Sequence, residues 1–168
     1  MTTALAGMVR ESWADLDRAV EGLSREDAER RLANASPISW TLAHCTYLVD
    51  SWLNVRFQGT LPHPSLDRET LRMGAAGDAL DWNEIQVAVQ EVRVIARHYL
   101  DALTEEALDV THAYTGSMEP LRETGITPRY ALMHIVAHHY VHIGEIASAR
   151  TALGHDVGDY PGLMKACL

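Results

Sequence analysis

The sequence predicts an all-α fold, and three observations support this prediction. Four long segments repeat apolar residues every three to four positions, which is the period of a helix with one buried face. The last three of these segments begin with residues that favour a helix N-terminus. No segment sustains the apolar–polar alternation of a strand. Four amphipathic helices of this length typically form a bundle, so we expect a four-helix bundle with short extra helices in the connections.

The first long helix is predicted from about Thr3 to Gly22, because apolar residues recur on one side of this segment. These residues are Leu5, Val9, Trp13, Leu16 and Val20. A short helix, SREDAERRLA, should follow. Ser24 is its predicted N-cap, and Asp27 lies at the third position after it.

The second long helix is predicted to begin at SPISW and to run to about Phe57. Ser36 can cap it, and Pro37 suits the first helical position because its missing N–H costs no hydrogen bond there. The third begins near DWNE, where Asp81 and Glu84 have the spacing of a capping box. Its apolar stripe consists of Ile85, Val89, Val92, Ala96, Tyr99 and Leu103.

The fourth long helix is predicted from TPRY, where Thr127 is followed by Pro128, to a C-terminal glycine near Gly154. Between the second and third helices, SLDRETLR could form a short helix. Between the third and fourth, we expect an irregular connection with a brief extended pair around Gly116.

Length and composition predict one globular domain over residues 1–168 and limit its partners. The chain is 47% hydrophobic and 22% charged, with a formal net charge of −9. Such an acidic protein repels phosphate backbones and anionic lipids, so we expect neither nucleic-acid nor membrane binding. The sequence shows no signal-peptide pattern and no apolar run of membrane-spanning length, and its two cysteines are too few for a disulfide framework. The expected location is the cytoplasm.

The segment HIVAHHYVHIGE, residues 134–145, contains four of the nine histidines. Residues four apart share a helix face, so two imidazoles at that spacing can bind one metal ion. His134 with His138 and His138 with His142 both have this spacing, and both pairs should face inward. The spacing alone does not choose between them.

A facing helix could complete such a site, and the second helix carries His44 in SWTLAHCTYLV. An isolated histidine in an apolar stripe is more often a hydrogen-bonded core residue than a ligand. Together with an inward HxxxH pair, however, it gives three imidazoles with coordination positions left open, which is typical of a catalytic metal site. The sequence contains no HExxH, Glu-x-x-His, GxSxG, P-loop or GxGxxG motif that would indicate another kind of site.

The segments SPISWTLAH and HIVAHHYVHIGE, taken together, resemble the DinB/YfiT-like superfamily of metal-binding four-helix bundles. The resemblance extends over nearly the whole chain in helix order and spacing. It implies that the metal ligands are His44, His138 and His142, and so favours His138 with His142 over His134 with His138. This family often has Arg-Gly-Gln after the pair, whereas this chain has Ile-Gly-Glu at residues 143–145.

The resemblance also implies a function. Characterised relatives include bacillithiol transferases, a mycothiol-dependent maleylpyruvate isomerase and the N-terminal domain of ergothioneine-forming enzymes. We therefore expect a metal-dependent transferase or isomerase that uses a low-molecular-weight thiol, with a pocket beside the metal. A non-catalytic metal-binding stress protein, with an occluded pocket, and a metal-dependent hydrolase are the alternatives. Zinc and nickel are the favoured metals and iron and manganese are possible, but no catalytic side chain is assigned.

Other residues near the predicted ligands have simpler interpretations. His134 is expected to be a core residue or to support a ligand. Glu145 is as well explained by solvent exposure as by orienting a ligand. His139 points about 100° away from His138 and is expected to be exposed. Trp40 and Tyr47 could form walls of the pocket. Cys45 follows His44, faces another direction and should be inert packing.

The fourth helix also predicts assembly. Opposite the His138 face it carries an apolar set that is too large for solvent exposure, consisting of Met133, Val136, Tyr140, Ile143 and Ala147. Either another part of the chain covers these residues or a second copy does. We expect a homodimer.

Overall fold

A computed structural model describes residues 3–33, 35–72, 74–75 and 77–165, without the side chain of Arg68. The helices are α1 (Ala4–Val20), α2 (Arg25–Glu29), α3 (Ile38–Val49), α4 (Arg68–Leu71), α5 (Trp82–Ala102), α6 (Glu119–Thr124) and α7 (Pro128–Leu153). A π-helix, Asp50–Arg56, continues α3, and a 3₁₀ turn spans Glu106–Asp109. Within the described ranges, extended backbone pairs only at an isolated antiparallel bridge between His112 and Ile126. The all-α prediction is therefore confirmed.

Three of the predicted N-terminal caps form side-chain hydrogen bonds, and Thr3 caps α1 in the same way. Thr3, Ser24, Asp81 and Thr127 each accept from a backbone N–H in the first turn of α1, α2, α5 and α7. Such a cap typically contributes about 1 kcal/mol. Gly154 ends α7 in the left-handed conformation, with φ of 83°. The ends of these helices are thus determined locally.

The start of α3 differs by one residue from the prediction. Pro37 is the N-cap, no side chain caps the helix, and Ile38 is its first residue. The Pro37 carbonyl accepts the first helical hydrogen bond, from the Thr41 N–H. Ser36 instead packs against the following connection, where a Cβ added to Gly77 would lie 2.3 Å from the Ser36 hydroxyl oxygen.

The helix that begins with α3 reaches Phe57 as predicted, but its last turns are π-helical. The buried Asp50 carboxylate accepts hydrogen bonds from the Asn54 amide (3.0 Å) and from the His63 N–H (2.9 Å). The Asn54 amide also donates to the Val92 carbonyl on α5 (3.1 Å). These hydrogen bonds satisfy the buried polar groups of Asp50 and Asn54. They also connect the π-helical segment to α5 and to the connection between α3 and α5.

The four long helices share one hydrophobic core. The α7 helix packs against both α1 and α3, and α3 packs against α5. Large core side chains that are completely or almost completely buried include Leu16, Leu42, Leu53, Leu100, Leu132, Ile135 and Ile143. Burying one such side chain typically contributes about 1.5–3 kcal/mol. This packing turns the His138 face of α7 towards α3. No helix in the described ranges is both long and apolar enough to cross a membrane.

Most of the α7 face that predicted a homodimer lies inside the fold. Val136 and Ile143 are buried, and the Tyr140 hydroxyl donates to the Asp15 carboxylate on α1 at 2.9 Å. Only Met133 of that set is strongly exposed, at 56%. The chain itself therefore covers most of this surface, and the homodimer stays a prediction that this surface no longer supports.

Candidate metal centre

Three histidines from two helices converge at one point. His44 lies on α3, and His138 and His142 lie on consecutive turns of α7. The Nε2 atom of His138 is 3.0 Å from Nε2 of His44 and 3.2 Å from Nε2 of His142. All three offer a ligand atom within 4.8 Å of the others. A tetrahedral zinc ion bound at about 2.05 Å would hold its nitrogens about 3.3 Å apart, so the cluster has the dimensions of a metal site.

Hydrogen bonds on the outer side of the cluster fix two of the tautomers. His44 Nδ1 is 2.5 Å from the Leu71 carbonyl oxygen, and His142 Nδ1 is 2.6 Å from Glu145 Oε2. A carbonyl and a carboxylate only accept, so each Nδ1 carries the hydrogen and each Nε2 carries a lone pair. Both lone pairs point towards His138. This carboxylate–histidine or carbonyl–histidine arrangement is how proteins orient metal-binding imidazoles.

His138 lies between these two lone pairs. A proton on its Nε2 could be donated to only one of the two neighbouring rings, whereas a cation in the middle would interact with all three nitrogens. Its Nδ1 is buried and has no hydrogen-bond partner in the part of the chain that the structure describes. The donor set therefore fits a divalent cation, and His138 is the ligand that lacks an orienting partner among the described residues.

Burial keeps His44 and His138 neutral. It lowers the pKa of His44, and burial together with the adjacent imidazoles lowers the pKa of His138 to about 2. Neutral imidazole is the form that binds metals, since protonation occupies the lone pair. These two rings are consequently available as ligands at neutral pH.

The short helix α4 supports the site from the connection between α3 and α5. Its Leu71 carbonyl orients His44, and its Thr70 carbonyl accepts a hydrogen bond of 2.8 Å from the Trp40 indole. Trp40 in turn stacks on His44, with ring centroids 4.8 Å apart and planes at 9°. The sequence predicted that α4 could form but not this role, because a backbone carbonyl leaves no signature in residue type.

A cavity of about 330 Å³ opens beside His142, between the start of α3 and the C-terminal half of α7. Its lining consists of Ala35, Ser36, Ile38, Trp40, Thr41, His142, Glu145, Ile146 and Ala149. Trp40 lines this space as predicted, whereas Tyr47 is not among its lining residues. Glu145 both borders the cavity and accepts the hydrogen bond from His142, so an orienting role describes it better than simple exposure.

His134 lies outside the cluster. Its ring centroid is 6.1 Å from that of His138, and it contacts the rings of Trp52 and Tyr130 at 5.0 and 5.8 Å. It is half-buried, which lowers its pKa. The structure therefore places it in an aromatic group next to the three histidines.

The expectation that His139 is exposed is wrong. Its side chain is only 1% exposed, and its Nδ1 forms a hydrogen bond of 2.9 Å with the Ser12 hydroxyl on α1. The reason is that α7 packs against α1 on one side and against α3 on another. Residues on more than one face of α7 are therefore buried, and His139 lies on the side that contacts α1. Cys45 is fully buried, which raises the pKa of its thiol and makes it unreactive, while Cys167 lies outside the described residues.

Comparison with known proteins identifies the family. The DinB superfamily model matches residues 8–146, which include most of α1, the three converging histidines and most of α7. No curated protein matches the chain. The match extends over most of the sequence and includes the three converging histidines together with Leu71 and Glu145, and the chain therefore belongs to the DinB superfamily.

Proposed function

We propose that His44, His138 and His142 bind one divalent metal ion, and that the protein is a transferase or isomerase using a low-molecular-weight thiol. The observation that carries this proposal is the convergence of the three Nε2 atoms next to an open cavity. Metal sites that serve only structure normally have four protein ligands, whereas catalytic ones keep a position open. Among the described residues, the cluster contains three.

A divalent ion held by neutral imidazoles lowers the pKa of a bound thiol and favours the nucleophilic thiolate. Three residues around the cluster orient or shield its histidines. Leu71 and Glu145 orient two of the ligands through their Nδ1 atoms. Trp40 covers one face of His44 and limits its access to water. Cys45 is not among the residues whose ligand atoms converge, so it does not supply a fourth ligand. Zinc, nickel, iron and manganese are all compatible with imidazole ligands.

The cavity also helps to distinguish the two alternative functions, a non-catalytic metal-binding protein and a metal-dependent hydrolase. A non-catalytic binding protein predicts an occluded site, and the open space beside His142 counts against it. A hydrolase is the second candidate, because the Glu145 carboxylate borders the same space and would accept a proton from a water molecule there. The two enzymatic functions differ in whether activity requires a thiol.

Metal analysis and thiol binding test the proposal. Protein purified without chelator should contain about one divalent ion per chain, and alanine at His98, which is exposed on α5, serves as the control. After cobalt substitution, physiological bacterial thiols at millimolar concentration should produce a sulfur-to-cobalt charge-transfer band. Turnover of electrophiles should then require both metal and thiol. If cobalt binds but no thiol gives the band, the transferase is rejected, and hydrolysis without thiol would support the second candidate.

A further inference from the structure

We infer that the cavity beside His142 selects a thiol that carries a positively charged group. This inference rests on the proposed function and specifies the substrate class for the same site. It follows from the charges of the cavity, from its aromatic wall and from the pairing of the nearest arginines.

The negative charge of the cavity comes from Glu145. Among the residues that the structure describes, the lining contains no lysine and no arginine, and apart from His142 and Glu145 its members are apolar, aromatic or hydroxyl-bearing. One Glu145 oxygen accepts from His142, while the other has no hydrogen-bond partner among the described residues. A cationic group in the cavity would find this free acceptor, whereas an anionic group would be repelled by the same carboxylate. The metal ion of the proposed site would be bound by the thiolate sulfur of every thiol, which offsets part of its charge, so thiols would differ in how the rest of the molecule interacts with Glu145.

Trp40 provides a second feature suited to a cation. Its indole N–H already donates to the Thr70 carbonyl, so this donor is not available to an anion. Trp40 is mostly buried and one face of its ring stacks on His44, so what the side chain offers to a ligand is the remaining aromatic surface that borders the cavity. An aromatic ring face attracts cations through its quadrupole. Ile38, Ile146 and Ala149 complete an apolar wall, which reduces screening by water and strengthens both attractions.

Two arginines that are close in sequence to cavity-lining residues already have partners. Arg31 extends past Ala35, where it interacts with the Ala35 and Gly77 carbonyls and pairs with the Asp78 carboxylate at 3.3 Å. Arg150 follows Ala149 on α7, but its guanidinium donates to carbonyl groups of residues 19, 21 and 156. Neither residue lines the cavity. An anionic group on the thiol would therefore find no lysine or arginine among the described residues of the lining.

Three small thiols of similar length test this inference on cobalt-substituted protein. These probes are cysteamine (cationic), 2-mercaptoethanol (neutral) and 2-mercaptoethanesulfonate (anionic), titrated at one pH and one ionic strength by the charge-transfer band. Cysteamine should bind most tightly and the sulfonate most weakly, with a ratio of about tenfold or more, which is about 1.4 kcal/mol. Because the charges are partly exposed, added salt should reduce the ratio.

The variant Glu145→Gln separates charge from the other effects of this side chain. Glutamine keeps an oxygen that can accept from His142, so the ratio between cysteamine and the sulfonate should fall towards one while the thiols still bind. Glu123→Gln, an exposed site on α6, is the matched control and should preserve the wild-type ratio. Comparing ratios within each variant removes any difference in cobalt loading.

The possible failures are distinct. If all three thiols give the band with equal affinity, if the sulfonate binds most tightly, or if Glu145→Gln leaves the ratio unchanged, charge selection by Glu145 is wrong and the proposed function stands. If cobalt binds and none of the three thiols gives the band, the proposed function fails, and this inference fails with it.

Discussion

Replacing Glu145 by alanine should weaken metal binding measurably without abolishing it. Glu145 is not one of the three converging residues, but its carboxylate is 2.6 Å from His142 Nδ1 and holds that ring in the tautomer that directs Nε2 inward. In known metal sites, loss of such an outer partner typically lowers metal affinity about 10- to 100-fold, which is about 1.4–2.7 kcal/mol. The Glu145 side chain is 58% exposed, so water can partly replace it. We therefore expect the lower end, about tenfold.

The assay is competition for zinc or cobalt between the protein and a chromophoric chelator at fixed pH. Glu145→Gln should lose less affinity than alanine, because its amide oxygen can still accept from His142. The control Glu123→Ala should bind as the wild type does. If Glu145→Ala binds metal within twofold of the wild type while the helical circular dichroism is unchanged, the orienting role of the carboxylate is refuted.

Four further predictions concern the site, the core and the assembly. Alanine at His44, His138 or His142 should each remove most of the bound metal in elemental analysis, whereas alanine at the exposed His98 should not. His139→Ala should retain metal but lower the free energy of unfolding in urea by about 2 kcal/mol, because it removes a buried ring and its hydrogen bond to α1. Burial lowers the pKa of His139 to about 3, from an ordinary value of 6.5. The unfolded chain therefore binds more protons below that value, and the contribution of His139 to stability, complete above pH 6.5, should decline as the pH falls towards 3. Unfolding of metal-free protein should show a weaker acid dependence in His139→Ala than in the wild type. Light scattering at micromolar concentration tests the homodimer expected from the sequence: twice the chain mass of 18.6 kDa would support it, whereas a monomer, which the packing of α1 over this face of α7 favours, would contradict it.

The ends of the long helices could be predicted because short-range chemistry determines them. A cap such as Asp81 or Thr127 acts within three residues, and a glycine such as Gly154 terminates a helix through its own φ. The start of α3 was harder to predict, since Ser36 and Pro37 both suit a helix start. Contact with Gly77, 41 residues away along the chain, places Ser36 outside the helix. No local pattern contains that contact.

The three converging histidines were predictable, but the atoms that orient them were only partly so. The four-residue spacing placed His138 and His142 on one face, and the family resemblance selected them over His134. A role for Glu145 in orienting His142 could be predicted, because the two residues are three positions apart on the same helix. The Leu71 carbonyl could not, because any residue at that position supplies the same oxygen. The burial of His139 could not be predicted from the sequence, because it depends on how many helices pack around α7, which is a property of the tertiary structure.

Glu145 joins the two proposals physically, since one carboxylate acts both on a proposed metal ligand and on the cavity. At residue 145 this chain carries a formal negative charge at the cavity wall. That charge should make His142 a better electron donor and should also make the cavity less favourable for anions. Both effects belong to one side chain, but they are measured separately, because metal affinity is determined before any thiol is added. If Glu145→Gln weakens metal binding slightly and also removes the preference for a cationic thiol, both roles are supported. If it changes only one of the two quantities, that role alone belongs to the carboxylate charge.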